Sequence, residues 1–369
     1  MIKRFFAVAF LFVIAFSCTE SDDSSETGGD TNDFDRGALL TNLADNIIIP
    51  SYENLNNELD ALVISKNTFI ETPNEENLSN LQDSWLEAYK AWQYVEVFNI
   101  GKAEEILYHF QMNIYPTTVA DIENNIASGN YDLTIPNNND AVGFPAIDYL
   151  LYGIAETEEA ILAKYSTGSE AEKHKTYLSD VINQMKLLTE EVLSSWTNGY
   201  RDTFVSSTEN TASSAVNKFV NDFIFYYEKG LRANKIGIPA GVFSTTPLPE
   251  KVEAFYNKEI SKELSIIALE AVKDIFNGNH YNGSGSGASF ASYLTALDKA
   301  DLSTMINDQF EAAEEKIEAL DENFFEQVNT DNTKMTQSYD ALQTAVVLLK
   351  VDMLQVFNIS VDYVDADGD

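Results

Sequence analysis

Apolar residues recur every three or four positions over most of the chain, a spacing that predicts amphipathic helices. The stripe at residues 78–95 consists of Leu78, Leu81, Trp85, Ala88, Trp92 and Val95. Stripes with the same spacing occupy residues 178–196, 216–231 and 260–275. The sequence has no sustained alternation of apolar and polar residues of the kind that strands show. The pattern therefore predicts an all-α protein built of helical bundles.

One short stretch, residues 143–153, is apolar and aromatic between two glycines. Pro145 suits the first turn of a helix, where a missing N–H costs nothing. Gly153 suits the left-handed position that follows a last helical turn. Asp148 is the only charged residue in the stretch. Because a buried carboxylate needs a partner, Asp148 either caps backbone, pairs with Arg or Lys, or binds a ligand.

The first and last helical hairpins resemble copies of each other. Residues 47–101 parallel residues 305–360, and both segments end in Val-Phe-Asn-Ile before the final residue. Chance similarity between amphipathic helices is the alternative, but the shared ending argues against it. The second copy has Gln355 where the first has Glu96. A charged site is therefore expected in the first half of the chain.

The N-terminus has the pattern of a bacterial lipoprotein precursor. A basic start, an apolar run at residues 5–16 and small residues before Cys18 predict a signal peptide over residues 1–17. Cys18 is then the lipidated N-terminus, and the acidic residues 18–35 form a flexible tether. The acidic cluster at residues 20–23 resembles signals for export to the outer membrane surface. The expected location is the outer membrane, on its periplasmic or cell-surface side, with Cys18 in the lipid bilayer.

Charge and cysteine content exclude several classes of function. The formal net charge is −36 for 369 residues. Loss of the two basic residues of the signal peptide makes the mature value −38, which disfavours nucleic acid as a partner. Cys18 is the only cysteine, so a lipidated chain has no cysteine nucleophile or thiolate metal site. The mature chain is expected to divide into bundles at residues 36–235 and 236–369.

The three histidines, His109, His174 and His280, do not form a metal-binding pattern. No two are four residues apart, and His174 lies in a charged segment that predicts a surface helix. A zinc hydrolase needs imidazoles or an imidazole with carboxylates. Glu96 and Asp148 with nearby tyrosines instead offer oxygen ligands, which suit a hard cation such as Fe³⁺ or Ca²⁺. A hydrogen-bonded cluster without an ion is the alternative.

The chain resembles the imelysin-like family in four segments that follow the family's order. The first is Trp85–Gly101, with Tyr94 and Glu96; the second is Asn113–Pro116, with Tyr115 and Pro116. The third is the central motif, Gly143, Phe144, Pro145, Asp148 and Tyr149, and the fourth is Lys235–Gly241, with Pro239 and Gly241. Pro145 and Asp148 occupy the positions where the family motif has His and Glu.

The resemblance implies an exported protein of two helical halves with the central motif between them. It also implies that Glu96 and Asp148 lie close together, with Arg232 and Lys235 as basic partners. The family is classed with metallopeptidases, and several members are linked to iron acquisition. Two hypotheses follow: a lipid-anchored, non-proteolytic protein that binds an iron-, haem- or peptide-like ligand, and a metallopeptidase-type hydrolase. The missing motif imidazole favours the first.

Overall fold

Helices account for nearly all regular structure in the computed structural model, which describes residues 34–281 and 283–363. The α-helices are α1 (Arg36–Asn42), α2 (Ile49–Glu71), α3 (Glu75–Val95), α4 (Lys102–Glu105), α5 (Tyr108–Met112), α6 (Val119–Ser128), α7 (Gly143–Asp148), α8 (Glu158–Ser166), α9 (Ala171–Ser195), α10 (Arg201–Ser206), α11 (Ala215–Phe225), α12 (Ser261–Asn277), α13 (Phe290–Ala296), α14 (Ala300–Glu318), α15 (Phe324–Val347) and α16 (Leu354–Phe357). Wider π-helical segments are Leu43–Ile48, Tyr149–Gly153, Trp196–Tyr200, Tyr226–Gly237 and Leu348–Met353. Short 3-10 turns are Pro136–Ala141, Pro249–Lys251 and Lys258–Ile260.

The all-α prediction is confirmed. Within the described residues, β structure is limited to one isolated antiparallel bridge, between Asn279 and Ser286. In the same part of the chain, no helix combines the length and the apolarity that crossing a bilayer requires.

Two helical hairpins provide four of the long helices of the fold, and α9, with 25 residues, is a fifth. In the first, α2 packs against α3 and also against α9; in the second, α14 packs against α15. The second helix of each hairpin begins with an asparagine cap: Asn74 accepts from the N–H of Asn77, and Asn323 from that of Glu326. Both predicted copies thus share a helix–turn–helix form and a cap, while their superposition stays a prediction.

Three of the four residues of the shared Val-Phe-Asn-Ile ending have the same burial in both hairpins, whereas Val97 is buried and Val356 is half-buried. Phe98 and Phe357 are buried, Ile100 and Ile359 are also buried, and the intervening asparagines are exposed. The two endings therefore anchor their helices in the core in the same way.

The segment predicted to be a signal peptide and the predicted lipidation site, Cys18, lie outside the described residues. The end of the predicted tether has defined contacts, since Phe34 stacks on Tyr293 at a centroid distance of 4.3 Å and Asp35 caps α1. The predicted division between residues 235 and 236 falls inside the segment Tyr226–Gly237, and it stays a prediction.

Candidate functional site

The central motif forms one short, buried helical segment, here called the motif helix: α7 followed by the π-helical Tyr149–Gly153. Its start is fixed by aromatic packing, because Phe144 stacks on Tyr89 at 4.5 Å with nearly parallel rings. Gly143 has φ +75°, and a Cβ there would overlap the carbonyl oxygen of Met112. Both backbone conformation and close contact therefore require glycine at this position.

The prediction for Gly153 was wrong. Its φ is not positive, and it lies inside the π-helical segment instead of ending a helix in the left-handed region. A Cβ at Gly153 would overlap the ring of Tyr256. The glycine is therefore explained by the close approach of a loop that the local sequence does not reveal.

Asp148, 1% exposed, caps the backbone of that same loop. Its Oδ2 accepts from the N–H of Tyr256 and its Oδ1 from the N–H of Asn257, both at 2.8 Å. Burial raises the pKa of Asp148 to about 7, although the two backbone hydrogen bonds act in the opposite direction. Of the roles open from the sequence, the structure gives Asp148 the backbone cap, and its carboxylate forms no ion pair with Arg232 or Lys235.

A buried ion cluster, defined by Lys235, Glu253 and Glu96, lies beside the motif helix. The Lys235 Nζ is 2.6 Å from Glu253 Oε2 and 3.4 Å from Glu96 Oε2. The ammonium also donates to Gln93 Oε1 at 2.7 Å. The side chains of Lys235, Glu253 and Glu96 are 1%, 2% and 13% exposed. The cluster thus holds two carboxylates for one ammonium in a largely dry environment.

Neutral groups bridge the two carboxylates. The Asn113 side-chain amide donates to Glu96 Oε1 at 2.8 Å and to Glu253 Oε1 at 2.9 Å. The Tyr89 hydroxyl has one proton for two acceptors, Asn113 Oδ1 at 2.7 Å and Glu253 Oε1 at 3.1 Å, and the Tyr226 hydroxyl donates to Glu96 Oε2 at 3.2 Å. These bonds satisfy buried oxygens that would otherwise be costly.

The ion cluster also sets the protonation of its members. Burial alone would raise the pKa of Glu96, but the charge of Lys235 and the Asn113 hydrogen bond outweigh it, and the pKa is lowered. Burial would lower the pKa of Lys235, but Glu253 and Glu96 outweigh it, and the pKa is raised. The charged forms of both groups are therefore stabilised by each other.

Two helical segments deliver most of these side chains, and Asn113 and Glu253 come from the chain outside helices. Tyr89, Gln93 and Glu96 follow a four- and three-residue spacing, which places them on one face of α3. Lys235 comes from the π-helical segment Tyr226–Gly237, a geometry that is often found at functional sites. Asn113 follows α5 directly.

A cavity of about 170 Å³ adjoins the motif helix and is called the motif cavity. Its lining residues are Tyr115, Pro116, Thr117, Pro145, Asp148, Glu250, Val252, Ala254, Phe255 and Tyr256. Asp148 and Glu250 are its charged residues, so the cavity is acidic. The peptide bond between Tyr115 and Pro116 is cis. Pro145, which stands where the family motif has His, forms part of this wall.

Several predicted site residues lie elsewhere. The Tyr94 hydroxyl donates to Asp274 Oδ2 at 3.2 Å, and the Tyr149 hydroxyl donates to Glu123 Oε1 at 2.5 Å. Arg232 is fully buried and lies in a second ionic network, 3.6 Å from Glu228. These side chains therefore belong to other parts of the fold.

Pro239 and Gly241 shape a turn. The Pro239 carbonyl accepts from the N–H of Leu248 at 2.9 Å. Gly241 has φ +79°, and a Cβ there would lie 2.6 Å from the Thr246 carbonyl oxygen. The turn at residues 239–248 therefore precedes the stretch of chain that carries Glu253.

The sequence analysis missed Glu253, which is central to the ion cluster. It lies between Val252 and Ala254, but the charged Glu250 and Lys251 just before it hide the isolated-acid signal that singled out Asp148. Tyr89 and Gln93 were also missed, although both lie on the motif-bearing helix with Glu96. The backbone N–H groups that bind Asp148 had no detectable sequence signal, because any residue can supply an N–H.

The histidines do not contribute to a metal-binding group. His109 lies beside the ion cluster, with Nε2 2.7 Å from the Glu96 carbonyl oxygen. The prediction that His174 lies on the surface was wrong, since it is 6% exposed. Among residues 34–281 and 283–363, no three His, Cys, Asp or Glu residues are grouped to hold a metal ion.

The residues present do not fit the resident metal that a peptidase motif implies. Pro145 has no ligand atom on its side chain. Each Asp148 oxygen already accepts a backbone hydrogen bond, and Glu96 is bound by Asn113, Tyr226 and Lys235. A ligand set of carboxylates and imidazole is therefore not assembled at the motif.

When the sequence is compared with protein-family models, residues 48–353 match the model of the imelysin family, peptidase M75. This chain belongs to the imelysin family. An imelysin-like protein from Psychrobacter arcticum 273-4 has a similar structure, with a TM-score of 0.69 and 16% identity over 89% of this chain and 97% of that one. Comparison with curated protein sequences finds no match.

A second similar structure is a protein provisionally named iron-regulated protein A precursor, from Parabacteroides distasonis ATCC 8503. The TM-score is 0.69 and the identity is 18%, over 85% of this chain and 94% of that one. At such identities the likeness establishes the fold. The imelysin resemblance inferred from the four motif segments is thus confirmed. In this chain Pro145 and Asp148 stand where the resemblance places the His and Glu of the motif.

Proposed function

We propose that this imelysin-family chain is a lipid-anchored binding protein of the cell envelope with a role in iron or haem uptake. The observation that carries the proposal is the motif cavity, an acidic cavity placed beside a motif whose carboxylate is already engaged by backbone N–H groups. A similar structure whose provisional name refers to iron regulation supports the choice of ligand.

The size and lining of the motif cavity favour a compact, positively charged ligand. At about 170 Å³ the cavity is smaller than the sites of roughly 300–1,000 Å³ that hold drug-sized molecules. An iron ion therefore suits it better than haem. Glu250, Tyr115 and Tyr256 line the cavity and carry side-chain oxygen atoms, which hard cations prefer, whereas the oxygens of Asp148 are already engaged by backbone N–H groups.

Binding is tested with the mature protein and the Fe³⁺ ion, supplied from its citrate complex to keep it soluble, with iron-free citrate, haem and Ca²⁺ as comparison probes. We expect the Fe³⁺ ion to raise the melting temperature, and Glu250→Gln to weaken the effect by removing a charge from the cavity wall. The matched control is Glu172→Gln, because the Glu172 side chain is 84% exposed and is not part of the lining. No effect of any probe, or equal effects on both variants, would refute a binding role for the cavity.

The alternative, a metallopeptidase-type hydrolase, is tested by incubating the mature protein with unfolded casein, with and without a chelator. We expect no chelator-sensitive cleavage, because the motif lacks its imidazole and Asp148 is held by backbone. Cleavage that requires metal and is lost in Asp148→Asn would restore the peptidase hypothesis.

Lipid anchoring is tested separately through Cys18. We expect wild-type protein to incorporate labelled palmitate and to fractionate with membranes, because Cys18 follows a basic and apolar leader. Cys18→Ser should give an unlabelled protein that is soluble or uncleaved. A wild-type protein that is soluble and unlabelled would contradict the anchor while leaving the binding test unaffected.

A further inference from the structure

One wall of the motif cavity is a loop, residues 252–257, here called the cover loop. Four of the ten residues that line the cavity belong to it: Val252, Ala254, Phe255 and Tyr256. The opposite wall comes from residues 115–117 and from the motif helix. The position of the cover loop therefore determines how far the cavity is open.

The first end of the cover loop is firmly anchored. Glu253 is 2% exposed, and its carboxylate lies 2.6 Å from the Lys235 ammonium group in the ion cluster. The Glu253 carbonyl oxygen also accepts from the Ser261 hydroxyl at 2.9 Å. Val252, which precedes it, is fully buried. Movement of this end would therefore disrupt the ion cluster.

The second end is held by a single side chain. The N–H groups of Tyr256 and Asn257 donate to the two oxygens of Asp148, each at 2.8 Å. In the part of the chain that the structure describes, no hydrogen bond between backbone groups involves residues 253–256. The side chains of Phe255 and Tyr256 are only half-buried. Segments with few backbone hydrogen bonds and partly exposed side chains are those that open locally.

Between the two ends, Ala254 adopts a left-handed backbone conformation with φ +54°. This conformation is unfavourable for alanine, because its Cβ comes too close to the following carbonyl oxygen. Ala254 is 2% exposed, so the surrounding packing holds it in this conformation. Residues strained in this way are concentrated in ligand clamps and switch regions. Ala254 is therefore the position about which the second end rotates once it detaches.

We propose that the cover loop is a gate of the motif cavity, with Ala254 as its hinge and Asp148 as its latch. In the closed state, the Asp148 carboxylate holds the two N–H groups of the loop. In the open state, residues 255–257 move away from the motif helix and widen the entrance, while Glu253 stays in the ion cluster.

The ligand part of this inference rests on the proposed function. Tyr256 belongs to the cover loop and Tyr115 to the opposite wall, so a cation bound by both ties the gate shut. Opening of the gate in the ligand-free protein does not depend on that assumption. The two parts are therefore tested by separate measurements.

Hydrogen–deuterium exchange of the mature, ligand-free protein measures gate opening directly. The amides of Tyr256 and Asn257 should exchange about tenfold faster than the buried amides of α12 or more, and low concentrations of urea should not change their rate. Such exchange shows that the loop opens without global unfolding. Exchange of both amides at the rate and with the urea dependence of α12 would overturn the proposal.

Two variants test the hinge and the latch. Ala254→Gly removes the strain of the closed state, because glycine adopts positive φ freely, and it should slow exchange of the two loop amides about fivefold. Asp148→Asn leaves one carbonyl oxygen for two N–H groups and should speed their exchange about tenfold. Thermal melts identify any variant that fails to fold, in which case wild type and Ala254→Gly decide.

The matched control for the hinge is Asp298→Gly. Asp298 also has positive φ, +58°, but it is exposed and lies outside the cover loop. The control should therefore leave the exchange of the two loop amides unchanged. Equal effects of Ala254→Gly and Asp298→Gly on these amides would overturn the assignment of the hinge.

The link to the ligand is tested with the Fe³⁺ ion, supplied from citrate, and with iron-free citrate as the control. At saturation, Fe³⁺ should slow exchange of the Tyr256 and Asn257 amides about tenfold or more, because it stabilises the closed state. If Fe³⁺ changes neither the melting temperature nor the exchange, the proposed function fails, and exchange of the ligand-free protein still decides whether the gate opens. Fe³⁺ that raises the melting temperature without slowing these amides would refute the control of the site by the gate.

Discussion

Lys235→Met is the most informative perturbation of the ion cluster. Methionine retains much of the hydrocarbon chain of lysine but removes the ammonium group that lies 2.6 Å from Glu253 and 3.4 Å from Glu96. Two nearly buried carboxylates are then left without a counter-charge. Removing one partner of a buried ion pair costs about 3–5 kcal/mol. The unfolding entropy is about 2.1 cal/mol/K per residue, so a fold of this size shifts by about 1.4 °C per kcal/mol, and the melting temperature should fall by roughly 4–7 °C.

The assay is urea and thermal unfolding of the mature protein at pH 5 and pH 8. Without the charge of Lys235, burial is the largest effect on Glu96 and raises its folded-state pKa above the unfolded value. A group of this kind stabilises the fold when protonated and loses that contribution as the pH rises through the folded-state pKa. The difference in stability between wild type and Lys235→Met should therefore be larger at pH 8 than at pH 5.

The matched control is Lys175→Met, since Lys175 pairs with Glu172, whose side chain is 84% exposed. A surface pair of this kind contributes about 0–1 kcal/mol. Adding Glu253→Gln to Lys235→Met removes one unpaired charge, and the double variant should regain part of the lost stability. A Lys235→Met variant as stable as the control at pH 8, or a loss that does not depend on pH, would show that the ion cluster does not stabilise the fold as argued.

Three further predictions follow from the motif helix and the terminal hairpins. Gly143→Ala should destabilise the protein more than the control Gly129→Ala. Both glycines have positive φ, but only a Cβ at Gly143 would overlap the backbone. Equal melting temperatures of the two variants would contradict this. The folded-state pKa of Asp148 is raised to about 7, so its contribution to stability is present below pH 4 and is lost as the pH rises towards 7. Asp148→Asn should therefore show a smaller decline in unfolding free energy between pH 4.5 and 8 than wild type, and parallel declines would refute the role of Asp148. An experimental structure should superpose residues 47–101 on 305–360, and a mismatch of their helix axes would contradict the duplication.

Local pattern was sufficient to predict the all-α class of this protein and its family. Helical spacing predicted α3, and Gly143 and Pro145 marked the start of the motif helix, because these signals act within a few residues of each other, whereas the left-handed end predicted at Gly153 was wrong. The isolated acid Asp148 indicated a buried group that needs partners, and it is buried. The Val-Phe-Asn-Ile endings indicated two equivalent hairpins, whose caps agree and whose endings agree in burial at three of four residues.

The identity of the partners was decided only by the tertiary structure. Asp148 binds two backbone N–H groups that are more than 100 residues away in the chain, and any residue type could supply them. Gly153 is required by the ring of Tyr256, although nothing in its local sequence distinguishes it from a helix-ending glycine. A sequence shows which groups must be satisfied, but long-range packing determines what satisfies them.

The same division applies to charge. The sequence fixes a net charge of −36, yet it does not reveal that Glu96, Glu253 and Lys235 share one buried cluster whereas Arg232 belongs to another. Electrostatic interactions depend on separation and burial, and both arise only when distant helices are brought together. The surplus of acids was therefore determined by the sequence alone, and the placement of the few that line cavities was decided by the fold.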